Sequence, residues 1–265
     1  MKKNEVSIER AHKEDSVILA EISKEAFHTD VLDGITPSSW KPGGPPGYDS
    51  PDFQKFIISV IDSYKILLDD AIVGGVYLDS GNKKHCILER IFVSPAHHNE
   101  GIASRAMELV HGKYPEANIW TLGTPKWNAR TRHFYEKHGY VQVGWDEAET
   151  PDNPDCWGIW YQKTIRPHQF TKINQLVDGM FSISVEGKVA KVSAPKEVKL
   201  KNGKTAVVAS AELVDDSGTI DLITWENNVR LVTAGKKIRV ENAVVSSYKG
   251  KLQLEIKYGR IISLL

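Results

Sequence analysis

The sequence predicts two domains of different class, a mixed α/β domain over residues 1–165 and an all-β domain over 171–265, joined by a linker at 166–170. Three observations carry this. A length of 265 residues fits one large or two ordinary domains. Up to about residue 165, runs of helical and strand periodicity alternate. Past Arg166-Pro167-His168-Gln169 the helical pattern almost disappears and five short β-rich runs take over. Charge divides at the same place. The formal net charge is zero, yet from Thr171 onward fifteen Lys and Arg stand against ten Asp and Glu, leaving the first part negative by the same margin.

In chain order, Val6 to Arg10 reads as a short strand, and Glu14 to Phe27 as a helix with Ile18, Leu19 and Ile22 on one stripe. Thr36 to Tyr48, crowded with Pro and Gly, cannot be regular structure; it is either a lid or substrate loop or an inert surface loop. Phe53 to Asp62 resumes a helix. Tyr64 to Leu68, Ile72 to Leu78 and His85 to Val93 follow as a strand meander turning at Asp69-Asp70 and Ser80-Gly81-Asn82. A helix from Ile102 places Ile102, Ala106, Leu109 and Val110 on one face, and Ile119 to Leu122 is the next strand. Asn128 to His138 is a helical body stopped by Gly139 and followed by a strand. Trp157 to Gln162 is a terminal strand. Trp145, Trp157, Trp160 and Tyr161 fall near it, among Glu147, Glu149, Asp152 and Asp155. Rings and carboxylates suit a cationic amine, and they equally suit ordinary packing beside an acidic loop.

The most telling stretch runs from Ile87-Leu88-Glu89-Arg90-Ile91-Phe92-Val93 into His98-Asn99-Glu100-Gly101-Ile102-Ala103-Ser104. A strand, a tight turn and a helix N-terminus aim several backbone N–H groups at one point, and the helix dipole adds roughly half a positive charge there. Gly101 permits close approach and Ala103 is small, so a pyrophosphate-bearing cofactor is expected at this turn.

This turn and the Asn128 to Val141 segment together resemble the two core motifs of the GNAT superfamily of acyl-CoA-dependent N-acyltransferases, over about residues 1–165. The family pattern at the turn is Gln or Arg, two residues, Gly, any residue, then Gly or Ala. Here the first position is His98, which removes an assured cation. The resemblance implies a mixed sheet in which the strand carrying Ile91 and Val93 splays from its neighbour and pairs with the pantetheine arm. His98, Asn99, Glu100, Gly101, Ile102, Ala103 and Ser104 would then bind the phosphates of acetyl-CoA. It also implies that Glu89 is a carboxylate base, directly or through water, and that Tyr135 protonates the leaving thiolate. On the residues alone, Glu89 can instead pair with Arg90 or Arg105, and Tyr135 can be a core aromatic beside Phe134. Asn128 can cap its helix, touch the cofactor, or both.

In the second domain, Val185 to Val192, Ala206 to Val214, Thr219 to Trp225, Lys237 to Val245 and Leu252 to Tyr258 read as five strands. Turns at Lys201-Asn202-Gly203-Lys204, Asp215-Asp216-Ser217-Gly218 and Tyr248-Lys249-Gly250-Lys251 separate them, and five strands in this length suggest a small barrel. Val185-Glu186-Gly187-Lys188-Val189, Asp216-Ser217-Gly218-Thr219-Ile220, Thr224-Trp225 and the Tyr248 turn resemble the OB-folds of archaeal single-stranded-DNA-binding proteins and replication protein A, over about residues 171–265. If Ile220 and Leu222 point inward, Asp221, Ile223 and Trp225 point outward. An outward ring is a platform for bases. Trp225, with Tyr248, Lys249 and Lys251 at a hairpin tip, forms the candidate nucleic-acid-binding set, and Lys199, Lys201 and Lys204 lie on another expected loop. Asp221 and Glu226 lie beside it, and Trp225 can alternatively cover a protein or intramolecular interface.

Cys86 and Cys156 show no metal spacing, no metal is implied, no apolar run approaches a membrane span, and the charged start is no signal peptide. The expectation is a cytoplasmic acyltransferase, most simply an N-acetyltransferase, acting on an amine of a small molecule or protein by direct attack. Its OB-fold would bind single-stranded DNA or RNA, or a protein. The competing expectation is a nucleic-acid-binding protein with an inactive first domain.

Overall fold

Alternating exposure along the strands sets the frame in both halves of this computed structural model, which describes residues 5–32, 43–146, 158–165, 170–200, 203–256 and 260–265. The chain divides into two compact units, Met1–Val141 with Tyr161–Pro167, and Gln142–Trp160 with His168–Leu265. Several expectations fall outside the described residues: the first part of the Pro/Gly-rich loop, Glu147, Glu149, Asp152, Asp155, Cys156, Trp157, the linker at 166–169, Lys201 and Tyr258.

In the first unit, β1 (Val6–Arg10), β2 (Asp62–Leu68), β3 (Ala71–Asn82) and β4 (His85–Val93) run antiparallel in sequence order. β5 (Ile119–Pro125) joins parallel to β4. Asp69 and Asp70 have φ of 46° and 71°, the left-handed pair of a type I′ turn. The turn expected at Ser80-Gly81-Asn82 lies further on, because β3 continues to Asn82, which pairs with His85 across Lys83 and Lys84. α1 (Ser16–Leu32) and α2 (Pro51–Val60) cover one face of the sheet, where Leu19, Ile22, Ile57 and Ile58 meet Tyr77 and Phe92. α2 starts earlier than its apolar pattern suggests. Pro51 occupies the first turn and the Ser50 hydroxyl accepts from the Phe53 N–H at 3.3 Å.

α3 (Ile102–Lys113) lies against the opposite face. Tyr64 is level with Val76, so it points away from the Tyr77 side, and its hydroxyl meets that of Tyr114 at the end of α3 at 2.9 Å. The buried residues of α3 are Ile102, Ala106, Met107 and Val110; Leu109 is only half-buried. α4 (Ala129–Lys137) packs Tyr135 on Tyr140 with ring centroids 6.0 Å apart. β6 (Val141–Asp146) and β7 (Gly158–Thr164) end this part of the chain.

The five expected strands of the second unit close a ring. β8 (Ile183–Val192) pairs with β10 (Thr205–Val214), β10 with β11 (Thr219–Trp225), and β11 parallel with β13 (Lys251–Glu255). β13 then pairs with β12 (Lys237–Tyr248), and β12 returns to β8. Val185, Val189, Leu213, Leu222, Ile238, Val240 and Leu254 fill the centre. Two short strands lack a sequence-based expectation: β9 (Lys196–Lys199) folds onto β10, and β14 (Arg260–Leu264) pairs with β12. Lys199 is therefore a strand residue. In the same unit, Ser263 and Leu264 pair with Trp145 and Gly144, which draws residues 142–160 into it. At the seam between β8 and β12, Arg239 donates from Nε and Nη2 to Glu186 Oε1 at 2.9 and 2.6 Å and lies 4.4 Å over the Phe170 ring. No described helix is long and apolar enough to cross a membrane.

Candidate functional site

The pairing of β4 changes character at Glu89. Below it, His85 to Leu88 pair with Ile119 to Leu122, and the register with β5 stops there. On the other side, Leu78 faces Leu88 while Tyr77 faces Arg90, so Glu89 is an extra residue, a bulge. Glu89 is exposed. Of its two alternative partners, Arg90 lies next to it, whereas Arg105 pairs with Glu108 at 3.1 Å.

Above the bulge the backbone direction follows from one bond. Ser94 N–H donates to Val73 O at 2.7 Å, which makes Ser94/Val73, Phe92/Gly75 and Arg90/Tyr77 the bonded pairs of the antiparallel ladder. The alternate residues, Ile91 and Val93, then turn their N–H and C=O groups away from β3, toward the gap that β5 leaves. Val93 O is met there by His98 Nε2 at 3.0 Å. A carbonyl can only accept, so Nε2 carries the proton. The residue standing in place of the family's cation thus secures the strand end.

The gap leads to the turn. Asn99 has φ 66° and Gly101 φ 79°, and Gly101 is the N-cap of α3 with no side-chain capping bond. A Cβ at Gly101 would meet nothing within 4 Å, so the glycine serves the left-handed backbone and keeps the space in front of it open. Ile102, Ala103 and Ser104 follow as the first helical residues, whose N–H groups have no partner within the helix. Glu100 is exposed, and its Oε2 accepts from His97 Nδ1 at 3.1 Å. The Ser104 hydroxyl bonds His138 Nε2 at 2.9 Å, tying the first turn of α3 to the end of α4.

Tyr135 is buried against Phe134 and Tyr140, and its hydroxyl has no hydrogen-bond partner among the described residues. Burial raises its pKa well above the ordinary phenol value, so it stays protonated. Asn128 is a cap: its Oδ1 accepts from the Thr131 N–H at 3.1 Å and its Nδ2 donates to Asp30 Oδ2 at 2.9 Å. With 2% exposure, its side chain is committed to holding α4 against α1.

Residues 43–50 form a strap over the α1/α2 face. Gln54 Nε2 donates to Tyr48 O at 2.9 Å, Tyr77 donates to Gln54 Oε1 at 2.6 Å, and Arg90 Nη2 donates to Pro46 O at 2.7 Å. A Cβ at Gly47 would lie 2.2 Å from Phe53 Cγ, so the strap is pressed on that ring. Reading residue by residue missed Arg90. The available signal was its place opposite Tyr77, which puts it on the helix-covered face.

On the second unit, β11 alternates as expected: Ile220, Leu222 and Thr224 are buried, and Asp221, Ile223 and Trp225 face out. Trp225 stands level with Val208, itself level with Lys196. Lys249 and Gly250, with φ 51° and 77°, turn the β12–β13 hairpin, whose tip exposes Tyr248 (62%) under Lys249 Nζ at 5.4 Å. The register does not bring Trp225 and this tip together. Pairing Asp221 with Gln253 and Ile223 with Glu255 sets Lys251 level with Thr219, six residues from Trp225. That is roughly 20 Å along the wall. Glu212, level with Asp221, lies between them, as does Glu255.

Residues 37–140 match the Acetyltransferase (GNAT) family, and residues 171–263 match the family of single-stranded DNA binding protein Ssb-like OB folds. The chain is 29% identical over 101 residues to Replication factor A of Methanothermobacter thermautotrophicus (38% of this chain, 12% of that protein). It is 28% identical over 83 residues to the single-stranded DNA binding protein Ssb of Saccharolobus solfataricus (31% of this chain, 55% of that protein). It thus spans 12% and 55% of those two relatives' own lengths. A crystal structure of PaiA N-acetyltransferase from Thermoplasma acidophilum in complex with coenzyme A is similar to 60% of this chain and 99% of that one, at 17% identity and a TM-score of 0.48. The chain carries a GNAT acetyltransferase domain followed by an OB-fold domain of the Ssb-like kind.

Proposed function

We propose that the protein transfers an acetyl group from acetyl-CoA to an amine, and that its OB-fold binds single-stranded nucleic acid. The observation that supports transfer best is the interrupted sheet: the Ile91 and Val93 backbone groups turn into the gap beside β4, and that gap leads to the amides after Gly101. The pantetheine arm would take the first and the pyrophosphate the second, with Gly101, Ile102, Ala103 and Ser104 around the phosphates and Asn99 and Glu100 shaping the turn. His98 and Asn128 would act by positioning. In the reaction, the acceptor nitrogen forms a bond to the acyl carbon as the carbon–sulfur bond breaks. Glu89, directly or through water, takes the proton leaving the nitrogen, and Tyr135 protonates the thiolate.

Release of free thiol from acetyl-CoA with a panel of amines tests this reading. Tyr135→Phe should lower kcat about 100-fold while leaving acetyl-CoA affinity nearly unchanged. An unaltered kcat removes Tyr135 from the mechanism. No thiol release with any amine favours an inactive first domain.

For the OB-fold, the supporting observation is the outward wall between Trp225 and the Tyr248 hairpin, long enough for a few nucleotides. The carboxylates along it favour contact with bases rather than phosphates in its middle. Anisotropy of labelled single-stranded DNA and RNA should report binding that weakens with salt. Trp225→Ala and Tyr248→Ala should each lose about 1–3 kcal/mol, adding in the double variant because the sites are far apart. No salt-dependent binding would turn the OB-fold into a protein-docking module.

A further inference from the structure

Among the described residues of the first unit, Arg90 is the charged side chain with a buried nitrogen that has no hydrogen-bond partner. It stands level with Tyr77 and therefore on the α1/α2 face, the next residue after the exposed Glu89. Its Nη2 donates to Pro46 O at 2.7 Å, and its guanidinium lies 5.2 Å over the Phe53 ring. Its Nη1 is buried and has no hydrogen-bond partner among the described residues. A guanidinium held in place by a carbonyl and a ring, with its second nitrogen unmatched, is a prearranged half of a charge-assisted pair. Burial lowers the Arg90 pKa, and the neighbouring Tyr77 and Glu89 offset only part of that.

We propose that Arg90 binds a carboxylate of the acceptor, so that the amine acetylated is one that also carries a carboxylate, an amino acid or a close relative. This rests on the acetyl-transfer reading and specifies its substrate. Adjacent positions on β4 then divide the acceptor: Arg90 holds its carboxylate and Glu89 faces its amine. The Pro46 carbonyl fixes the guanidinium, so the strap over residues 43–50 sets specificity without touching the reacting atoms.

The test compares amino acids with their carboxamides, which keep the amine and lose the charge, in thiol release from acetyl-CoA by the full chain. The wild type should prefer the acids by about 10- to 100-fold in kcat/KM. Arg90→Gln should abolish that preference chiefly through KM, and Arg90→Lys should keep part of it. Equal use of acids and carboxamides by the wild type, or a preference surviving in Arg90→Gln, overturns the assignment. If no amine releases thiol, the transfer reading fails separately. Equilibrium binding of acids against carboxamides to the full chain then decides the matter: Arg90-dependent preference supports the site, and its absence overturns it. Equal thermal protection by acetyl-CoA in wild type and Arg90→Gln checks that the fold is intact; where it is not, Arg90→Lys carries the comparison.

Discussion

The first unit leaves its sheet open and the second closes it, and their chemistry sits accordingly. In the barrel each of the five ring strands is paired on both sides, so the backbone is consumed and only outward side chains such as Trp225 and Tyr248 remain to meet a partner. In the first unit the β4–β5 ladder ends at Leu88, and the main-chain groups beyond it are left open toward the gap. Side-chain substitution should therefore strike the two units differently. The closed one depends on what its side chains are, the open one on where its backbone is.

The largest effect should come from the barrel seam. Arg239 is 4% exposed and Glu241 fully buried, with Glu186 as the principal partner. Arg239→Met takes the guanidinium from the buried Glu241, leaves Glu186 with the more exposed Lys237 at 3.6 Å, and should lower the unfolding free energy of the second unit by about 3–5 kcal/mol. Denaturant unfolding should show this with acetyl-CoA protection unchanged. A loss below about 1 kcal/mol would mean that apolar packing alone holds the ring.

A slightly smaller effect should appear in the first unit on acidification. His111 bonds the Tyr140 hydroxyl at 3.0 Å, and burial, helped by Lys163 and His138, lowers its pKa to about 4. The unfolded chain takes up a proton near the ordinary value while the fold refuses it. This stability is thus complete above about pH 6.5 and lost as pH falls toward 4, by at most about 3 kcal/mol. Melting temperatures across that window should fall in the wild type and less steeply in His111→Gln; parallel slopes would assign the loss elsewhere.

The smallest effect sharpens the comparison most. Gly101→Ala strains a left-handed residue by about 1–2 kcal/mol and places a methyl group in the open space before the amides. Titration calorimetry should show acetyl-CoA bound several-fold more weakly, with nucleic-acid affinity untouched. Unchanged acetyl-CoA affinity would mean that the phosphates do not approach this turn.

Most of the framework was legible because it is local. The Asp69-Asp70 turn, the Gly101 turn, the Gly139 stop and the alternation in β11 are each written in a few adjacent residues. What escaped depends on partners distant in sequence. Ile87 to Val93 carries apolar residues and one charge at odd and at even positions alike, so period-2 alternation carries no phase and the bulge at Glu89 is invisible until β3 is laid beside it. β9 is polar, Lys-Glu-Val-Lys, and is a strand because β10 offers it an edge. The start of α2 is written in Ser50-Pro51, two residues ahead of the apolar stripe that begins at Phe53. The pairing of Trp225 with the Tyr248 hairpin into one candidate site is a further case. The OB-fold resemblance put them in one site, and the parallel register of β11 with β13 sets them apart.

The bulge also acts as a shift in reading frame. Leu88 and Arg90 are two residues apart and would share a face of a regular strand. With Glu89 between them, Leu88 stands level with Leu78 and Arg90 with Tyr77, on opposite sides of the sheet. The strand is thus written in two phases, one for the buried stretch below and one for the site above. Position 89 accepts many letters at little expense to the fold, but deleting it would turn one of those stretches inside out. Chain length at this point, rather than residue identity, is what keeps the core and the site on their proper sides.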